Sequence, residues 1–294
     1  MIPTRPFGST GHHSTLTLLG GAAFKPTSTE ADAERVLELL FRHGVNHIDT
    51  AHGYGGGNSE TLIGGWMERH RDRFFLATKT GDRTAAGARA QVELSRRRLR
   101  TDTIDLIQLH SLTVEEDWAT ALGPGGALEA LVEERENGRV RFIGVTGHGF
   151  AAPRMHLRSL ERFPFDSVLL PMNFVMASDD RYRADFDALK TVCDDRGVAV
   201  QLIKSTARRP WGGRERSRGP WYEPLEAPED IARAVAYALS YAPAFINAMA
   251  DLDLLPLLLQ AAELPGERPS DAEMKAMVNA REMQPIFEDL AMIH

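Results

Sequence analysis

The sequence predicts an α/β fold: a closed (β/α)8, or TIM-type, barrel with an N-terminal hairpin and a C-terminal helical extension. Three observations carry this. Short apolar runs alternate with helical periodicity eight times, and such alternation calls for a parallel sheet. No composition break along the 294 residues marks a linker, and this length suits one barrel. Several apolar runs also end in a polar residue, as barrel strands do where they meet an active-site face.

The elements follow in order. "TLTLLGG" (15–21) reads as the first barrel strand, ending at Gly21, and His12 and His13 before it fall in a hairpin covering the barrel bottom. Residues 29–43 form a helix with Val36, Leu37, Leu40 and Phe41 on one face, and Gly44 stops it. "GVNHID" (44–49) is the second strand, followed by a helix near 59–70. "FFLATK" (74–79) is the third strand, with a polar helix to about Leu99. "TIDLIQLH" (103–110) is the fourth, and its helix runs to Gly138. "VRFIGVTGH" (140–148) is the fifth, and Pro153 suits the first turn of the next helix. "DSVLLPMN" (166–173) is the sixth, with a helix through Phe186, Leu189 and Val192 to Gly197. "VAVQLIK" (198–204) is the seventh, with a helix through Ile231, Val235 and Leu239. "AFINAMAD" (244–251) and "LDLLPLLLQAAE" (252–263) complete the eighth unit. The whole of 1–294 reads as one domain, with a core over about 15–263 and an extension over 264–294. In that extension Ser270 and Glu273 have capping-box spacing.

An open doubly wound sheet is the competing architecture. It usually carries G-x-G-x-x-G after its first strand. Here that turn reads "LGGAAFKP", and "GYGGGN" after the second strand has Asn58 at the last glycine's place. A net charge of −7 argues against a nucleic-acid grip spread over the surface. No apolar run reaches the length of a membrane span, and the N-terminus does not read as a signal peptide. A lone cysteine, Cys193, fits a reducing cytoplasm and falls on an apolar helix side.

Chemistry concentrates at the strand ends: Asp49, Lys79, His110, Asn173, Lys204 and Asp251, with His148 just past the fifth strand. Asp49 and Lys79 alone suit a salt bridge on the barrel rim equally well. His110 alone is more often a core histidine, and Tyr54 alone a loop tyrosine. Together they make a proton-donating site. The ammonium of Lys79 needs a partner in a dry cavity, which Asp49 supplies. That cation favours the phenolate and is expected to lower the pKa of Tyr54. His110 can hydrogen-bond an incoming oxygen, and glycines around Tyr54 allow the sharp turn that presents its ring.

At these residues the sequence resembles the aldo-keto reductases. "HIDTAHGYGGGNSETLIGG" resembles their D-T-A-x-x-Y-G-x-S-E-x-x-L-G signature, widened by two glycines before Asn58. "FLATKT", "LSRRRLRTDTIDLIQLHS" and "GRVRFIGVTGHG" are similar to three further family segments. The resemblance covers residues 1 to about 263. It implies Asp49, Tyr54, Lys79 and His110 as a catalytic tetrad, with Tyr54 the general acid and His110 orienting a small-molecule carbonyl substrate. It also implies NADPH across the barrel mouth, with NADH still open. Residues holding the carboxamide would be Gly147, His148 and Asn173, and Gly21 and Asp251 would also border the cofactor.

The chain departs from the family after the eighth strand. The usual I-P-G and basic residues are replaced by "INAMADLDLL", where Asp251 and Asp253 would repel a 2′-phosphate. Lys204, Ser205, Arg208 and Arg209 in "LIKSTARRPWGGRERSR" are expected to compensate by binding phosphate. Arg214, Arg216 and Arg218 read instead as a solvated loop. Trp118, Trp211, Trp221 and Tyr222 are expected in loops on the active-site side. His43 and His47 are four apart, but Gly44 between them makes a metal site improbable. Two other functions compete with carbonyl reduction. One is a lyase or aldolase using Lys79 as a Schiff-base amine. The other is a non-catalytic nicotinamide-binding barrel that reports redox state to a partner.

Overall fold

The computed structural model describes residues 1–287, so residues 288–294 of the expected extension lie outside it. The N-terminal hairpin pairs β1 (Thr4–Pro6) with β2 (His13–Thr15). Its turn carries Phe7 into the bottom of the barrel, against Leu18, Phe75, Leu106 and Phe245. The barrel strands are β3 (Thr17–Gly20), β4 (His47–Asp49), β5 (Phe75–Thr80), β6 (Ile104–Leu109), β7 (Val140–Thr146), β8 (Ser167–Pro171) and β9 (Ala199–Ile203). A further antiparallel hairpin, β10 (Ala207–Pro210) and β11 (Tyr222–Pro224), stands in the loop after β9. The last barrel strand, β12 (Ala244–Asn247), pairs in parallel with both β9 and β3 and closes the barrel. All eight strands are parallel and adjacent in chain order, as the alternation requires.

Helices surround the strands, and their ends show why they form there. The first, α1 (Glu30–His43), starts at a Thr29–Asp32 capping box and stops at Gly44, whose φ is 73°. Its buried face is Val36, Leu37 and Leu40. It is followed by α2 (Asn58–His70) and α3 (Ala85–Arg98). The single helix expected before Gly138 is two, α4 (Glu115–Leu122) and α5 (Ala127–Glu136). "GPGG" at 123–126 breaks it, because Pro124 lacks an N–H and Gly125 sits at φ 72°. Pro153 lies in the first turn of α6 (Ala152–Arg162), as expected. A one-turn helix, α7 (Phe174–Ala177), precedes α8 (Asp180–Arg196), which ends on Gly197 at φ 65°. Then come α9 (Pro228–Leu239), α10 (Leu255–Glu263) and α11 (Asp271–Arg281), the last opened by the expected Ser270–Glu273 capping box. Cys193 is fully buried, and no helix among the described residues is long and apolar enough to cross a membrane.

The barrel interior is layered. At its lower level stand Phe75, Ala77, Leu106, Ala199 and Phe245. Two residues further along four of these strands stand Lys79, Gln108, Gln201 and Asn247, all buried. Since residues i and i+2 face the same way in a strand, the interior turns from apolar to polar on approaching the C-terminal mouth. Among the expected strand ends the eighth moves furthest. The eighth strand ends at Asn247, not at Asp251.

Candidate active site

Three adjacent strands deliver three of the chemical groups. Asp49 closes β4, Lys79 lies near the end of β5, and His110 follows β6 directly. Tyr54 arrives from a 3-10 turn just after β4, and Gly55, Gly56 and Gly57 there have φ of 58°, 66° and 97°. Three successive left-handed residues are accessible only to glycine at low cost, so this sequence can fold the chain back and present the phenol. A cavity opens at this mouth, and Asp49, Tyr54, Lys79 and His110 all line it.

The contacts are close. Lys79 Nζ donates to Asp49 Oδ2 at 2.5 Å and to the Thr50 carbonyl at 2.7 Å. The same ammonium lies 5.0 Å from the centre of the Tyr54 ring. The His110 ring meets Tyr54 edge-on at 5.7 Å. Burial opposes the Lys79 charge, but Asp49 and Tyr54 outweigh it and raise the amine above its ordinary range. For Tyr54 the balance differs from the expectation. Burial pushes the phenol up by more than Lys79 pulls it down, so its pKa is raised rather than lowered. The neighbouring ammonium offsets the desolvation of a phenolate without overcoming it. Burial, together with Lys79 and His148, holds His110 at about 3, so it meets the pocket as a neutral imidazole.

The residues expected around a cofactor divide into two groups. His148, Lys204 and Ser205 line the cavity. Lys204 sits at φ 63° with its ammonium 4.9 Å from the Tyr222 ring and 5.4 Å from Trp221. Burial and the nearby Lys25 bring it down to about 8. The others are engaged elsewhere. A Cβ on Gly21 would meet Thr50 and Ser59 at 2.8 Å, and one on Gly147 would meet His156 at 2.9 Å, so both glycines answer to packing. Asn173 caps α7 through Met176 N–H and donates to the Lys204 carbonyl. Asp251 accepts backbone N–H groups of Gly219, Asp253 and Leu254.

Arg208 and Arg209, expected to grip phosphate, are instead clamped by acids. Arg208 donates to Glu223 at 2.6 Å and Arg209 to the same carboxylate at 2.8 Å, while Arg209 also pairs with Glu282. Arg214 and Arg218 are paired with Glu223 and Glu226, while residues 212–217, Arg214 and Arg216 among them, are exposed as expected of a solvated loop. Trp118 donates to Ser159 and Trp211 to the Pro220 carbonyl, while Tyr222 lines the cavity.

Sequence reasoning missed Gln108, Asn247, Thr146 and Thr206. Gln108 carried a signal: it stands two residues before His110 and so shares the barrel interior. Asn247 was hidden because the strand was expected to run on to Asp251. Three cavity-lining residues also hold buried polar atoms with no partner among the described residues: His148 Nδ1, Ser205 Oγ and Asn247 Oδ1. Such groups are rare in folded proteins unless something else satisfies them. This mix of an acceptor oxygen, a hydroxyl and an imidazole nitrogen fits a ligand that both donates and accepts, such as a carboxamide.

An eight-stranded parallel barrel thus brings an acid, an amine, a phenol and an imidazole together at its C-terminal mouth. The sequence model of the Aldo/keto reductase family matches residues 18–208, well over half of the chain, and the chain belongs to that family. It is 35% identical over 141 residues to the aldo-keto reductase YhdN of Bacillus subtilis, covering 44% of this chain and 40% of that one. It is 29% identical over 167 residues to the L-galactose dehydrogenase of Arabidopsis thaliana, covering 50% and 49%. The chain thus spans about half or less of the length of these curated relatives. The holo form of an aldo-keto reductase from Bacillus halodurans shares the fold, with a TM-score of 0.69 at 22% identity, covering 98% of this chain and 99% of that one.

Proposed function

We propose that the protein reduces an aldehyde or ketone to an alcohol with a nicotinamide cofactor, and that Tyr54 delivers the proton. Family membership supports nicotinamide-dependent carbonyl chemistry in general. The observation that carries the finer reading is Tyr54 held between the Lys79 ammonium and the His110 imidazole. When bound, a nicotinamide supplies the hydride. This chain's part is to bind, orient and protonate. The neutral imidazole of His110 can donate an N–H to a carbonyl oxygen. As charge develops on that oxygen, the Tyr54 hydroxyl passes its proton across, and Lys79 stabilises the phenolate left behind.

Cofactor contacts in this reading fall to His148, Lys204, Ser205 and Asn247. Lys204 and Ser205 serve the phosphates, because Arg208 and Arg209 are committed to Glu223. Asp251 and Asp253 leave no added grip on a 2′-phosphate, so the chain tolerates NADH alongside NADPH. A Schiff-base role for Lys79 is disfavoured. Its amine is 1% exposed and bonded to Asp49, and an ion-paired ammonium is a poor nucleophile.

The test is a Tyr54→Phe variant. It should bind NADPH and NADH as the parent does, read by quenching of nucleotide fluorescence, while aldehyde reduction falls roughly 10²–10⁴-fold, the usual range for a general acid. A variant reducing aldehydes at the parent rate would remove Tyr54 from the mechanism.

A further inference from the structure

We propose that Gln108 and Asn247 are positioning residues that hold the Asp49 carboxylate in place and ionised, and so keep the Lys79 ammonium beside Tyr54. Gln108 Nε2 donates to Asp49 Oδ1 at 2.6 Å. Asn247 Nδ2 donates to Asp49 Oδ2 at 2.8 Å, the oxygen that also receives Lys79. Gln201 Nε2 continues the chain, donating to Gln108 Oε1 at 3.1 Å. The network joins four barrel strands, β4, β6, β9 and β12, and every member is buried.

Two features argue that the amides serve the carboxylate rather than the fold. One layer below, the same strands carry Leu106, Ala199 and Phe245 in contact, so apolar packing is available at this radius of the barrel. Among the described residues the polar layer also leaves Gln201 Oε1 and Asn247 Oδ1 without partners, a cost that an apolar layer would avoid. What the amides provide is a pair of short, charge-assisted hydrogen bonds to a carboxylate that burial otherwise drives toward its neutral form. Were Asp49 to take the proton of Lys79, the amine would lose its charge and could not stabilise a Tyr54 phenolate. Asn247 also stands on the cavity wall. It therefore links the carboxylate to whatever occupies the cavity.

The proposal rests on Tyr54 as proton donor, so the experiment separates the two. Gln108→Met and Asn247→Leu keep side-chain bulk and remove the donors. Tyr54 ionisation is followed by tyrosinate absorbance, taken as a difference from the same variant carrying Tyr54→Phe, and needs no turnover. We expect the Tyr54 titration to move to higher pH. The plateau kcat for aldehyde reduction should fall roughly 10-fold for each amide removed, and for Gln108→Met, which lies off the cavity wall, KM and NADPH affinity should stay near parent values. A titration left at the parent midpoint overturns the proposal, whatever happens to kcat. If Tyr54→Phe keeps the parent rate, the proton-donor reading fails while the absorbance titration still decides the network. Should the apolar variants not fold, Asn247→Ser, which withdraws the donor from Asp49, carries the same expectation.

Discussion

His110 and His148 reach the cavity as neutral imidazoles, each held at about 3 by burial and nearby cations, and His156 is held at about 4 mainly by burial. The consequence for stability has a definite sign. These folded-state values lie below the ordinary histidine value of about 6.5, so the unfolded chain binds the protons first. Their contribution is fully present above about pH 6.5 and is lost as the pH falls toward 3–4. Each group can contribute a slope of up to about 1.4 kcal/mol per pH unit in that window. Thermal melts should therefore show a lower Tm at pH 5 than at pH 7, above the range where ordinary carboxylates titrate. His156→Gln, which removes one buried imidazole, should flatten the difference, and equal Tm values at the two pH values would contradict the account. The sequence placed His110 and His148 at the strand ends. It did not show that they would be neutral, because burial is not a local property.

Among the elements, the β10–β11 hairpin shows how a loop's charges find their purpose. Glu223 on β11 collects Arg208 and Arg209 from β10, and Arg214 from the turn between. Arg208 donates to the Arg281 carbonyl and accepts Gln284 N–H on its own carbonyl, and Arg209 pairs with Glu282. The segment after α11 is thus fastened over the hairpin, with Ile286 packed on Ala207 and Tyr222. Glu223→Gln should release this clamp. Hydrogen exchange at residues 282–287 should quicken, and stability should fall by roughly 1–3 kcal/mol, the scale of charge-assisted hydrogen bonds lost from a buried carboxylate. Unchanged exchange in that segment would show that Ile286 alone fastens it. The arginines were legible in sequence as a basic run fit for phosphate. Their acids lie on another strand and beyond a distant helix, so residue type alone could not say which anion they meet.

For the whole molecule, the critical step is closure between the first and last barrel strands. β12 meets β3 through only the Ile246–Thr17 and Asn247–Leu18 registers, and a Cβ on Gly20 would come within 2.3 Å of the Ala248 carbonyl. Gly20→Ala should force this seam apart. The expected cost is about 1–3 kcal/mol, typical of overpacking, read as a fall in Tm. Activity should suffer with it, because the same seam sets Asn247 against Asp49, 198 residues earlier in the chain. A variant with parent Tm would show that the seam yields without strain.

What the sequence determined by itself was local and periodic: eight alternations of apolar strand and amphipathic helix, the capping box at Ser270, and the glycine stops at Gly44 and Gly197. It also placed Asp49, Tyr54, Lys79 and His110 at neighbouring strand ends, since consecutive parallel strands lie side by side. Only the tertiary structure decided which charges meet. Closure of the barrel brought Asn247 to Asp49, the β10–β11 hairpin paired Arg208 and Arg209 with Glu223, and the packing around Tyr54 desolvated its phenol enough to raise its pKa. Hydrogen-bonding pattern and side-chain period act over a few residues and leave a trace in sequence. Desolvation and charge pairing depend on what the rest of the chain packs alongside, and leave none.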